Sequence, residues 1–101
     1  MAEFVKALEK SDLPEGQGKR VDIQGNAIAV FHVDGQFYAI SNTCLHQGGP
    51  LAEGELEGNV VFCPWHRWQY NVTTGHNDLN PEMKVRAYPV KVEGDSIFVE
   101  V

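Results

Sequence analysis

An all-β domain is what the sequence predicts: a small barrel or sandwich, with a segment over about 43–75 inserted near one end. Three observations carry the expectation. Short runs rich in β-branched and aromatic residues, several with two-residue alternation, recur along the chain. Turn pairs such as Asp34-Gly35 separate them. No stretch sustains an apolar period of 3.6 residues, so helix content should be low. At 101 residues, 1–101 reads as one domain with one modest core, undivided by repeats or linkers.

In order, Phe4 to Leu8 reads as a short first strand, and Leu13 to Gly18, with Pro14 and two glycines, as a break. Lys19 to Ile23 alternates and places Val21 and Ile23 on one face. Gly25-Asn26 reads as the hairpin turn into Ala27 to Val33, and Asp34-Gly35 as the turn into Gln36 to Ile40. His32 lies opposite Ala29, Phe31 and Val33 in the alternation and is expected at the surface, whereas Phe37 and Tyr38 are expected to pack in the sheet. A loop over Asn42 to Pro50 interrupts the meander. Glu55 to Asn59 reads as a turn back, with the acidic run Glu53 to Glu57 a solvated edge. Val60-Val61-Phe62 is an apolar strand ending at Cys63, and Gln69 to Val72 leads to the Thr74-Gly75 turn. A loop follows from His76, expected to be solvated, to Pro81. Two last strands, Val85 to Val92 and Ser96 to Val101, are joined by Glu93-Gly94-Asp95.

Charge and composition narrow the function. Lys and Arg total 8 against 14 Asp and Glu, a net charge of −6. No basic stripe is present, which argues against nucleic acid, and the acidity suits docking on a basic surface. No apolar window is long enough for a membrane span. The first residues lack the charged start and apolar run of a secretory signal, so a reducing, cytoplasmic compartment is expected, with the cysteines as thiolate ligands. Gly16-Gln17-Gly18 lacks the rest of a dinucleotide fingerprint.

Both cysteines and two of the four histidines fall in two short loops. The first is Cys44-Leu45-His46-Gln47-Gly48-Gly49-Pro50 and the second Cys63-Pro64-Trp65-His66-Arg67-Trp68, which gives C-x-H, sixteen residues, then C-x-x-H. Two thiolates and two imidazoles can close a tetrahedral zinc site, or hold an iron–sulfur cluster with the Cys pair on one iron and the His pair on the other.

The paired motifs, with Gly-Gly-Pro after the first and Pro after the second Cys, resemble the Rieske 2Fe–2S proteins over nearly the whole chain. The resemblance implies one 2Fe–2S cluster on Cys44, His46, Cys63 and His66, and makes the inserted segment the cluster-binding subdomain. The pattern C-P-W-H-x-W, with Val-Thr-Thr-Gly behind it, looks like the small Rieske-type ferredoxins of bacterial multicomponent oxygenases. It implies an electron-transfer component rather than an enzyme, expected to be monomeric. Its partners would be a flavin-containing NAD(P)H reductase and a terminal oxygenase, typically an aromatic-ring dioxygenase. Small subunits of nitrite reductases share Gly-Gly-Pro-Leu and H-x-W and are the alternative, with a structural zinc module further behind.

Several positions depart from the family's patterns. High-potential Rieske proteins carry an extra Cys in each loop, joined by a disulfide; the matching positions here are Gly49 and Trp65. Where they place a Ser hydroxyl near a sulfide, this chain has Trp68, whereas Tyr70 matches a Tyr that donates to a cysteine sulfur. Trp68 and Tyr70 are therefore the candidate tuning positions, and a potential near about −150 mV rather than about +300 mV is expected. The residue after the second His is often Gly in these ferredoxins but is Arg67 here. The exposed histidine edge implies docking through Gln47, Gly48, Trp65 and Arg67, with Pro81 of the adjoining loop.

Overall fold

The computed structural model describes residues 3–43, 49–65, 67–77 and 82–101. Among these residues ten strands follow in order: β1 Phe4–Glu9, β2 Gly18–Ile23, β3 Asn26–Val33, β4 Gln36–Ser41, β5 Glu55–Glu57, β6 Val60–Phe62, β7 Gln69–Asn71, β8 Ala87–Tyr88, β9 Val90–Glu93 and β10 Ser96–Glu100. Short 3-10 turns lie at Lys10–Asp12 and Leu51–Glu53, and no α-helix occurs among the described residues. The all-β expectation thus stands. Among the described residues the strands form three open antiparallel sheets, ordered β1-β10-β9, β2-β3-β4-β8 and β5-β6-β7, none closed into a barrel.

Two tight hairpins build the central sheet. The first turns at Gln24-Gly25, with φ of 51° and 82°, and sets Ile23 opposite Asn26. The turn therefore lies one residue before the expected Gly25-Asn26, and Asn26 begins β3. The second turns at Asp34-Gly35 as expected, with φ of 49° and 77°. Two successive left-handed residues match the right-handed twist of the flanking strands.

Glu15 braces the second turn. Its carboxylate accepts the Asp34 N–H at 2.7 Å and the Gly35 N–H at 2.9 Å. Its Oε1 also lies 3.5 Å from His32 Nε2. His32 corrects the expectation of a simple surface residue. Its ring stacks on Phe37, centroids 4.2 Å apart, and its Nδ1 lies 2.9 Å from the Leu13 carbonyl oxygen. The break over Leu13 to Gly18 folds back onto this strand end, with the Gly16 N–H donating to His32 O at 2.7 Å, and so covers a residue that alternation alone leaves outside.

β3 is buried on both faces, which explains its run of five hydrophobic residues from Ala27 to Phe31. Ile28 and Val30 point into one core with Leu8, Leu13, Ile97 and Val99. Ala29, Phe31 and Val33 point into the other with Leu51, Val61, Cys63 and Tyr70. Phe31 is fully buried, so its truncation to Ala should cost about 3–5 kcal/mol.

The expected long strand from Val85 to Val92 is two strands. Pro89 has no N–H for a ladder and separates β8, in the central sheet, from β9, paired with β10. Its carbonyl accepts the Glu100 N–H at 2.9 Å. Glu55 to Glu57, expected as a turn, is an edge strand, because Leu56 pairs with Val61 and packs on the core beneath. The turn itself is Gly58-Asn59.

Candidate metal centre

The third sheet and the 51–53 turn carry the two loops. The first loop is pinched at its base, where Thr43 and Pro50 form an isolated antiparallel bridge. Beneath it sits Asn42, only 4% exposed. Its N–H donates to Ala27 O at 2.9 Å, and its own carbonyl accepts the Leu51 N–H at 2.8 Å. Its Oδ1 accepts the Ala52 N–H at 2.8 Å. One side chain and its backbone thus fasten both ends of the loop to β3. The motif itself does not mark Asn42; the sequence signal for it is a polar residue between a buried strand and C-x-H.

The second loop is closed by its own backbone. The Cys63 N–H donates to Trp68 O, and the Arg67 N–H to Cys63 O, each at 2.7 Å. Arg67 has φ of 57°, a left-handed conformation that costs a residue with a Cβ roughly 1–2 kcal/mol. Its side chain folds back over β6 rather than outward. The guanidinium Nη2 donates to Glu55 Oε2 at 3.2 Å, and Cζ lies 4.9 Å from the Phe62 ring centroid. Glu55 and Phe62 are opposite one another on the β5–β6 ladder, one residue before Cys63.

The loops touch at Gly49 and Cys63. A Cβ built on Gly49 would lie 2.6 Å from Cys63 Sγ and 3.3 Å from the Trp65 ring, so only glycine leaves the sulfur its space. Positions 49 and 65, which match the disulfide-bearing positions of the high-potential proteins, are neighbours here. The Trp65 indole takes that space while remaining 57% exposed.

Behind the sulfur the wall is dry. Cys63 is 1% exposed and belongs to the core formed by Leu51, Val61, Tyr70 and Val72, with half-buried Trp68 packed against it. Tyr70 is fully buried, opposite Val61 on the ladder and bridged to Asn77 on its other side. Gly75, at φ 85°, lets the following chain pass close: a Cβ there would lie 2.3 Å from Val85 O. His76 is half-buried and forms a bridge with Lys84.

Of the residues singled out from sequence, Cys63, Trp65, Arg67, Trp68 and Tyr70 are brought together here. Cys44, His46, Gln47, Gly48, His66 and Pro81 lie outside the described residues. What is described fits a 2Fe–2S cluster: a buried sulfur donor, a glycine that leaves room over it, and a second loop base fastened alongside.

The family model for a Rieske [2Fe-2S] domain matches residues 3–89. The ferredoxin component of a p-cumate 2,3-dioxygenase system from Pseudomonas putida is 38% identical over 104 residues, covering 100% of this chain and 88% of that protein. The ferredoxin of carbazole 1,9a-dioxygenase from Nocardioides aromaticivorans IC177 superposes with a TM-score of 0.89 at 31% identity, over 95% of both chains. A structure described as the complex of reduced oxygenase and oxidized ferredoxin in carbazole 1,9a-dioxygenase matches with a TM-score of 0.86 at 34% identity, over 95% of this chain and 91% of that one. Among the described residues no helix is long and apolar enough to cross a membrane.

Proposed function

Because this chain belongs to the Rieske [2Fe-2S] domain family, we propose that it is a low-potential ferredoxin that carries one electron from a flavin-containing NAD(P)H reductase to a terminal oxygenase, such as an aromatic-ring dioxygenase. Its similarity to ferredoxin components of dioxygenase systems supports this reading over a nitrite reductase subunit or a zinc module. The protein is an electron-transfer component and not itself an enzyme. The single observation that carries the reading in the structure is the approach of Gly49 to Cys63 Sγ, which sets the base of one motif against the ligand atom of the other.

Cys44 and Cys63 would hold one iron and His46 and His66 the other, within a cluster-binding subdomain of about 43–75. When bound, the cluster supplies reversible one-electron chemistry. The chain's residues set where that electron can go. Leu51, Val61, Tyr70 and Val72 exclude water from the Cys63 side. Exposed Trp65 offers a flat apolar contact to a partner, beside Gln47, Gly48, Arg67 and Pro81 as the rest of the docking surface. The carrier works as a cytoplasmic monomer exchanging between its two partners.

Purified protein should contain two irons and two labile sulfides per chain. It should accept electrons from the reductase of a ring-hydroxylating dioxygenase system and pass them to that system's oxygenase. A colourless protein holding one zinc would overturn the proposal.

A further inference from the structure

We propose that Glu55 is a specificity-determining residue of the electron-transfer tip: it keeps the Arg67 guanidinium paired and folded back over Phe62, so that the tip stays acidic and suits partners with a basic surface. The inference rests on the electron-carrier reading above.

Three contacts define the arrangement. The Arg67 N–H is tied to Cys63 O at 2.7 Å, its guanidinium to Glu55 at 3.2 Å, and its Cζ lies over the Phe62 ring at 4.9 Å. The left-handed backbone at Arg67, φ 57°, accompanies a side chain that runs back along the sheet. Glu55 shares the outward side of β5 with Glu57, both exposed, and Glu53 precedes them in the 51–53 turn. One guanidinium among three carboxylates leaves the local charge negative, in line with the chain's net −6. The side chains of Arg67 and Glu55 are 62% and 70% exposed. An ion pair this exposed adds little to folding stability, so its effect belongs to encounter and recognition.

The test uses the iron–sulfur-loaded protein and two charged one-electron oxidants of opposite sign. The reduced protein gives one electron either to hexacyanoferrate(III), an anion that becomes hexacyanoferrate(II), or to hexaamminecobalt(III), a cation that becomes cobalt(II). Glu55→Gln should shift the ratio of the two rate constants toward the anionic oxidant by about tenfold at low ionic strength, with the shift fading in high salt. Glu93→Gln changes the net charge equally, removes another exposed paired carboxylate, and should shift the ratio by no more than about twofold. Arg67→Gln should move the ratio the opposite way. The double exchange Glu55→Arg with Arg67→Glu, which restores the pair in reverse, should return it close to the unmodified value. If Glu55→Gln shifts the ratio no more than Glu93→Gln does, or Arg67→Gln moves it the same way as Glu55→Gln, the role of Glu55 is overturned while the carrier reading stands. Unmodified protein purified without iron and sulfide would overturn both.

Discussion

Asn42 and Ala52 lock the base of the first loop: across ten residues, the Ala52 N–H donates to the buried Asn42 Oδ1 at 2.8 Å. Removing the acceptor strands a buried donor, which costs about 1–3 kcal/mol. Asn42→Ala should therefore lower Tm by roughly 4–8 °C for each kcal/mol lost. Asn42→Asp, which keeps an acceptor oxygen, should lose less in acid, where its carboxyl is protonated and no buried charge is added. Calorimetry of the two variants settles the ranking; equal losses would mean that packing, not the hydrogen bond, sets the cost.

Gly49 is a steric requirement of the site. A methyl group at 2.6 Å from Cys63 Sγ cannot be accommodated without moving one loop. Gly49→Ala should cut iron and labile sulfide content by well over half while the strands persist in far-ultraviolet circular dichroism. Gly58→Ala is the control: a Cβ there meets nothing within 4 Å, although its φ of 58° also strains the substitution. Full cluster loading in Gly49→Ala would refute the requirement.

Tyr70 offers a test of tuning against packing. Its ring is fully buried in the same core as Cys63, and Tyr70→Phe keeps the ring while removing only the hydroxyl. If the phenol donates to a cysteine sulfur, the bond strengthens on reduction by about 1 kcal/mol, the scale of one net hydrogen bond. At about 59 mV per tenfold change for one electron, the variant's midpoint should fall by about 40 mV with the cluster intact. An unchanged midpoint would assign Tyr70 to packing alone.

Glu15 predicts an acid-side effect far from the metal centre. The Gly35 N–H chiefly, then the Asp34 N–H and the nearby His32, hold its carboxyl below the usual 4.5, against the opposing effect of burial. A carboxyl depressed in the folded state contributes stability that is full above its unfolded pKa and is lost as pH falls through the folded one. Glu15→Gln should thus lower the urea midpoint above pH 4.5, and the gap should close as pH falls below it. A gap that widened in acid would reverse the sign and sink the assignment.

The hairpin at Asp34-Gly35 and the strand running into Cys63 were legible because local chemistry and global pairing agree there. Elsewhere tertiary context decided. Gln24 takes a left-handed φ that its side chain does not advertise, so the first turn sits one residue earlier than Gly25-Asn26 suggests. Glu55-Leu56-Glu57 carries no strand propensity and is a strand only because Val61 pairs with Leu56. His32 alternates outward, yet the chain before β2 folds over it. Pro89 was visible, but that it passes the chain from one sheet to another depends on two partners distant in sequence, β4 and β10. At the site, the motif marks the proposed ligands but not the support beneath them. Asn42 lies just outside the pattern, and the fold-back of Arg67 onto Glu55 depends on strand register.

A proposed ligand sulfur that is also a core residue ties loading to folding. Cys63 is buried in one core with Leu51, Val61, Tyr70 and Val72, and Gly49 lies against its sulfur, so reagents reach it only when this packing opens. Loading at this sulfur should therefore precede the final packing of the core around it. The same packing shields Cys63 from oxidants and chelators, so loss of the cluster should begin at the proposed histidine edge rather than at this sulfur. The lifetime of the loaded carrier is therefore a property of its β-scaffold as much as of its metal–ligand bonds.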